Sequence, residues 1–74
     1  QTGDAISYYM DAANTNQNEF STPKYLLKAA QAAITTGDYS TAITALEQIE
    51  EKYPDAVEAK TAQVLLGQAQ AASN

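Results

Sequence analysis

The chain has 74 residues, with nine acidic residues against four lysines, and it contains no arginine, histidine or cysteine. This length supports one small domain, which buries only about 60% of the surface that its unfolded chain exposes. The residue types exclude disulfide bonds, thiolate zinc sites and the usual nucleophile–base pairs, and the net charge of −5 argues against nucleic acid and anionic membrane surfaces as partners.

Residues typical of helix ends, together with the spacing of the apolar residues, predict an all-α fold of about four helices. The first helix is predicted over residues 4–14, with Gly3 as a turn before it and Asn14 as a left-handed residue at its end. A polar loop follows, in which Phe20 is the one bulky apolar residue. We expect the Phe20 side chain to pack back onto the core.

The second helix is predicted over residues 22–36, with Thr22 as its N-cap and Pro23 at its first helical position. Its apolar residues surround more than half of its circumference, so we expect other helices on both of its flanks. The pair Gly37 and Asp38 predicts a tight reversal, in which the glycine adopts a positive φ and the aspartate caps the third helix.

The end of the third helix and the start of the fourth are marked by Pro54, because a proline disfavours α geometry in the residue before it. Asp55 and Glu58 have the spacing of a reciprocal cap, which predicts a fourth helix over residues 55–72. Its apolar residues, Val57 among them, predict a buried side, and its glutamines predict a side that faces solvent.

The sequence also carries an internal repeat. Residues 5–9 match residues 42–46, and residues 29–32 match residues 66–69, both at a spacing of 37 residues. A period of this size is typical of helical hairpin repeats, which bury their apolar faces against neighbouring repeats and present a surface to another protein. We therefore expect the first helix to be the second half of a partial repeat and residues 22–53 to form one full repeat.

The middle of the chain carries a family motif. Residues 37–43 read Gly-Asp-Tyr-Ser-Thr-Ala-Ile, and Pro54 follows 17 residues after Gly37. Residues 23–58 thereby resemble a tetratricopeptide repeat, whose second helix typically begins Gly-Asp/Asn-Tyr-x-x-Ala-Ile and ends near Tyr/Leu-x-Pro. The first helix of the repeat departs from this pattern, since Leu26 and an Ala-Ala pair replace the usual aromatic residue and Leu-Gly pair. The resemblance implies antiparallel helical hairpins stacked as a right-handed superhelix.

The resemblance further implies a non-catalytic scaffold that binds a protein or peptide segment in a concave groove between the first helices of its repeats. The groove would take Lys24, Leu27, Gln31, Ile34 and Thr35 from the second helix and Thr61, Val64 and Gln68 from the fourth. Repeats that hold a carboxylate use Lys, Arg and Asn in this position. The apolar and amide side chains found here predict a contact with apolar or amide groups of a helix or an extended segment.

A second interpretation is a structural module that forms a homodimer through its first helix and binds no other ligand. Four residues of that helix carry more apolar surface than a terminal helix needs: Ile6, Tyr8, Tyr9 and Met10. Alternatively, these side chains pack on the second helix and on Phe20.

The acidic residues Glu47, Glu50, Glu51, Asp55 and Glu58 invite an enzymatic interpretation based on paired carboxylates, or a cation site. A chain this small scarcely forms the pocket that an enzyme needs. We expect a solvated surface instead, with no catalytic residue, no metal ion and no cofactor.

The cellular location of the chain and its place in a longer protein are predicted from its composition and from the residues at its ends. Its polar residues are largely Gln, Asn, Thr and Ser, which favours a bacterial periplasm or cell envelope over the cytoplasm. The chain begins with Gln1 and not Met, so we expect it to be a processed or truncated part of a longer protein. The polar outer side and tail of the fourth helix resemble the end of an array, so we expect the C-terminal part of a bacterial repeat array, without direct membrane contact of its own.

Overall fold

The computed structural model describes residues 2–73, and within that range it contains four α-helices and no strand. The helices are α1 (Thr2–Thr15), α2 (Thr22–Thr36), α3 (Tyr39–Lys52) and α4 (Glu58–Ser73). This confirms the prediction of an all-α fold with about four helices. Both the first and the last residues of α1 and α3 are 37 positions apart, the same spacing as in the sequence repeat.

Helix α1 is longer than predicted at both ends. The prediction of a turn at Gly3 is wrong, because this residue lies within the first helical turn, where backbone N–H groups have no intrahelical partner in any case. The prediction of a left-handed Asn14 is also wrong, because every non-glycine residue of the described chain has a negative φ. The last turn is extended by Thr15, whose hydroxyl donates to the Asp11 carbonyl at 2.7 Å.

The turn before α2 is organised by Asn18. Its side-chain oxygen accepts from the N–H groups of Phe20 at 2.9 Å and Ser21 at 2.7 Å, and its own N–H donates to the Thr22 hydroxyl at 2.8 Å. The prediction of Thr22 as N-cap is wrong by one residue, since Ser21 occupies that position. The buried Thr22 hydroxyl instead donates to the Ala13 carbonyl of α1 at 3.3 Å.

The reversal between α2 and α3 is formed as predicted. Gly37 has a φ of 81°, and its N–H donates to the Ile34 carbonyl at 3.0 Å, while the Asp38 N–H donates to the Ala33 carbonyl at 2.8 Å. These two hydrogen bonds form the helix-ending motif that requires a left-handed residue. The Asp38 carboxylate then caps α3 by accepting from the Thr41 N–H at 3.3 Å.

The connection between α3 and α4 is longer than predicted. Tyr53 leaves helical geometry, with a φ of −133° and a ψ of 52°, directly before Pro54, as predicted. The prediction that α4 starts at Asp55 with a reciprocal cap to Glu58 is wrong, because α4 starts only at Glu58. The intervening residues form a turn instead, in which the Ala56 N–H donates to the Tyr53 carbonyl at 3.1 Å.

Helix α2 is the centre of the fold. It packs against α1, α3 and α4, whereas α1 contacts neither α3 nor α4 within the described residues. This confirms the prediction of helices on both flanks of α2. Alanines occupy most of the fully buried positions and let the helices approach closely, and the larger side chains Leu26, Leu46 and Ile49 fill the core. Each of these three stabilises the fold by about 1.5–3 kcal/mol through its burial.

Candidate functional site

The eight residues predicted to form a groove lie on α2 and α4, two helices that contact each other. Within each helix, spacings of mostly three and four residues place them along one side. Six of the side chains are exposed, while Leu27 and Ile34 are half-buried and pack against the core. We call this set the α2–α4 face, and it comprises Lys24, Leu27, Gln31, Ile34, Thr35, Thr61, Val64 and Gln68.

The α2–α4 face displays the same side-chain pattern twice. Leu27 and Gln31 on α2 correspond to Val64 and Gln68 on α4, each 37 residues further along the chain. Val64 is 61% exposed, and both glutamines are exposed. Each of the two neighbouring helices therefore carries an apolar side chain with an exposed amide about one turn further on.

The polar groups of the α2–α4 face are mainly amides and hydroxyls. The Thr35 hydroxyl donates to the Gln31 carbonyl of its own helix at 3.0 Å, so its proton is already engaged. Each glutamine amide supplies both donors and an acceptor, and Lys24 is the one cation of the face. This arrangement suits apolar side chains and backbone amides better than a carboxylate, which is best bound by several charged donors.

The α1 residues predicted as a self-association edge do not share one environment. Ile6 and Met10 are half-buried and pack against the core, whereas Tyr8 is 65% exposed. The rings of Tyr8 and Tyr9 make an edge-to-face contact with centroids 5.5 Å apart. The Lys28 ammonium lies 6.0 Å from the Tyr9 ring centroid, near the limit of a cation–π contact. Among the described residues of α1, Tyr8 is thus the one large apolar side chain that is exposed.

A comparison of α1 with α3 explains this exposure. The α3 residues Ala42, Ala45, Leu46 and Ile49 are all completely buried, because α3 packs against both α2 and α4. The α1 residues 37 positions earlier are exposed or half-buried, and Tyr8 is the counterpart of Ala45. Helix α1 packs against α2 alone, so one of its two flanks has no helix beside it in the described chain.

The acidic residues form no recognisable metal site, since residues 2–73 bring no group of three potential metal ligands together. Glu47, Glu51 and Asp55 are exposed, whereas Glu50 and Glu58 are half-buried. One carboxylate oxygen of Glu50 is buried without a hydrogen-bond partner among the described atoms. Hydrogen bonds from the Thr41 side chain and N–H, and from Ser40, hold the pKa of Asp38 below its ordinary value of 3.8.

A cleft of about 480 Å³ lies between the α1–α2 loop and the α3–α4 loop. We call it the loop cleft, and its lining residues are Glu19, Phe20, Lys52, Tyr53, Pro54, Asp55, Ala56, Val57 and Glu58. Phe20 is 80% exposed and Val57 is 88% exposed, so the predictions that placed Phe20 on the core and Val57 on the buried side of the fourth helix are wrong. The sequence patterns did not predict this cleft, although Phe20 is an isolated bulky apolar residue in a polar loop, which is a feature typical of a contact site.

Comparisons with known proteins give a family and no individual relative. A family model described as tetratricopeptide repeat matches residues 23–71, which is more than half of the chain. Neither the curated proteins nor the solved structures yielded a significant match. None of the helices in residues 2–73 has the length and apolar character required to cross a lipid bilayer.

Proposed function

Since the chain belongs to the tetratricopeptide-repeat family, we propose that it is a scaffold whose α2–α4 face binds a segment of a partner protein. Tetratricopeptide repeats are in general protein–protein interaction modules, and they are not catalytic. We extend the non-catalytic role to this chain. The partner segment is a helix or an extended peptide that lies across α2 and α4.

The observation that carries this proposal is the duplicated pattern of Leu27 with Gln31 and Val64 with Gln68 on two helices in contact. The apolar side chains favour apolar anchors in the partner, and the amides favour hydrogen bonds to its backbone or to its own amides. A C-terminal carboxylate is a poorer ligand, because Lys24 is the one cation available on this face.

The test starts from peptides selected on the immobilised chain out of a random library, because the natural partner is not known. A selected peptide is then titrated into the isotope-labelled chain, and the backbone amide signals are followed by nuclear magnetic resonance. We expect the largest shifts at residues 27–31 and 64–68. The variant Val64→Asp should weaken binding about tenfold, because it puts a charge where an apolar contact is made.

The matched control is Thr44→Asp, at an exposed helical position on α3 outside the face. It should bind the peptide as the unaltered chain does. If Val64→Asp and Thr44→Asp bind equally well, or if every selected peptide shifts signals elsewhere, the proposed binding face is wrong.

A second candidate function is self-association through α1. It is favoured by the 65% exposure of Tyr8, at a position whose α3 counterpart Ala45 is completely buried. Sedimentation equilibrium over a range of concentrations tests it, with Tyr8→Lys as the variant and Lys24→Glu as a charge change on another surface. A dimer that is lost in Tyr8→Lys alone supports this candidate. A monomer at all concentrations rejects it.

We also propose that the chain is part of a longer bacterial envelope protein in which a preceding helix covers the free flank of α1. The polar composition, rich in Gln, Asn, Thr and Ser, supports an exported location. An extension by one upstream helix should raise the melting temperature and bury Tyr8. Fractionation of cells that express the tagged parent protein tests the location, and a purely cytoplasmic signal would contradict it.

A further inference from the structure

We propose that the loop cleft is a second interaction site, which binds a basic partner segment that carries an apolar side chain flanked by lysine or arginine. The site differs from the α2–α4 face, because it is formed by the two connections α1–α2 and α3–α4 with the adjoining ends of α3 and α4. Its function therefore does not depend on the function proposed above.

The first argument is the exposure of Phe20 and Val57. These are the two most exposed large hydrophobic side chains in the described chain, at 80% and 88%, and they line the same cleft. Scattered apolar residues on a surface need no explanation, whereas apolar residues that share a concave site indicate a contact. Tyr53 and Pro54 extend the apolar lining. The volume of about 480 Å³ lies in the range of known ligand sites.

The second argument is that hydrogen bonds hold both walls of the loop cleft in place. On one wall, the Phe20 N–H donates to the Asn18 side chain at 2.9 Å, and the Ser21 N–H donates to the same oxygen at 2.7 Å. On the other wall, the Ala56 N–H donates to the Tyr53 carbonyl at 3.1 Å. The exposed side chains are thus presented by ordered turns, which reduces the entropy that a partner must remove on binding.

The third argument is charge. The lining contains the carboxylates of Glu19, Asp55 and Glu58 against the single ammonium of Lys52, and the whole chain has a net charge of −5. Glu58 is half-buried, and Glu19 and Asp55 are exposed. A cleft lined by apolar side chains and three carboxylates is complementary to an apolar side chain with cationic neighbours, and it repels an acidic segment.

The test uses the peptide acetyl-Gly-Lys-Phe-Lys-Gly-amide and its acidic counterpart with Glu in place of both Lys. Each is titrated into the isotope-labelled chain while the amide signals are followed by nuclear magnetic resonance. We expect the basic peptide to shift the signals of Phe20, Val57 and their neighbours, and the acidic peptide to shift none. Binding of the basic peptide should weaken as salt is added, because the contact is partly ionic.

Two matched pairs of variants locate the site. Asp55→Lys should weaken the basic peptide about two- to fivefold, whereas Glu47→Lys, which changes the net charge equally at an exposed position outside the cleft, should have no effect beyond general screening. Phe20→Ser should weaken binding about tenfold, whereas Tyr8→Ser removes an exposed aromatic ring elsewhere and should not. Phe20 is exposed, so an unchanged melting temperature for Phe20→Ser will show that the fold is intact.

Three results would overturn the proposal. Equal shifts with the basic and acidic peptides would show that charge does not select the ligand. Shifts confined to the α2–α4 face would show that the peptide binds there and not at the loop cleft. Dimerisation of the chain that Phe20→Ser abolishes would assign the cleft to a second copy. Val64→Asp should leave the peptide bound at the cleft, so a failure of the α2–α4 face and a failure of the loop cleft are distinguished.

Discussion

The hydroxyl of Thr22, at the start of α2, donates to the carbonyl of Ala13 in α1 at 3.3 Å. The same oxygen accepts from the Asn18 N–H at 2.8 Å, so one buried side chain connects α1, the loop and α2. Helix α1 has no other helical neighbour in the described chain, and this contact therefore helps to hold it in place.

We expect Thr22→Val to destabilise the fold by about 1–3 kcal/mol, because it leaves the Ala13 carbonyl and the Asn18 N–H without their buried partner. Thr22→Ser keeps the hydroxyl and loses one methyl group, so it should cost clearly less. Urea unfolding followed by circular dichroism measures both values. Equal stabilities of the Val variant and the unaltered chain would mean that the hydroxyl contributes nothing.

The stability of the chain should fall in acid partly through Asp38. Its pKa is lower in the folded state than its ordinary value of 3.8, because the protonated carboxyl is a poorer acceptor for Thr41 and Ser40. The stabilisation is therefore complete above the unfolded-state pKa and is lost as the pH falls through the folded-state pKa.

Asp38→Asn tests this dependence, because asparagine caps a helix about as well as aspartate but does not titrate. Its melting temperature near neutral pH should be close to that of the unaltered chain, and it should fall less on acidification. Asp38→Ala should melt lower already at neutral pH. Identical acid profiles for the unaltered chain and the Asp38→Asn variant would contradict the assignment.

Ala42 in α3 is completely buried and belongs to the hydrophobic core. Ala42→Leu should cost about 1–3 kcal/mol, because the larger side chain overpacks the core. Ala71→Leu adds the same atoms at an exposed position of α4 and serves as the control. Thermal unfolding of both variants gives the difference, and a melting temperature unchanged in Ala42→Leu would show that the core tolerates added volume at this position.

Two glycines should respond to alanine in opposite directions. Gly37 has a φ of 81°, so Gly37→Ala should cost about 1–2 kcal/mol through backbone strain, although a Cβ would meet no atom within 4 Å. Gly67 lies inside α4, and its Cβ would also meet open space, so Gly67→Ala should stabilise the chain by about 0.4–1 kcal/mol. Changes of the same sign in both melting temperatures would contradict this account.

The sequence pattern of α1 did not show which of its apolar side chains are buried. The sequence indicated excess apolar surface on α1, but it could not separate Ile6 and Met10, which pack on the core, from Tyr8, which does not. The difference depends on which side of α1 faces α2. The spacing of residues shows which of them share a side of a helix, but it does not show which element packs against that side.

Local sequence was enough to predict the class, the number of helices, the reversal at Gly37 and Asp38, and the end of α3 before Pro54. These features depend on a few neighbouring residues whose backbone chemistry acts over one or two turns. Packing between segments that are separated along the chain set the role of Thr22 and the exposure of Phe20 and Val57. Those outcomes depend on which elements are neighbours in the fold. A buried hydroxyl forms its hydrogen bond with whichever polar group packs next to it, and an apolar side chain is buried only where another element covers it.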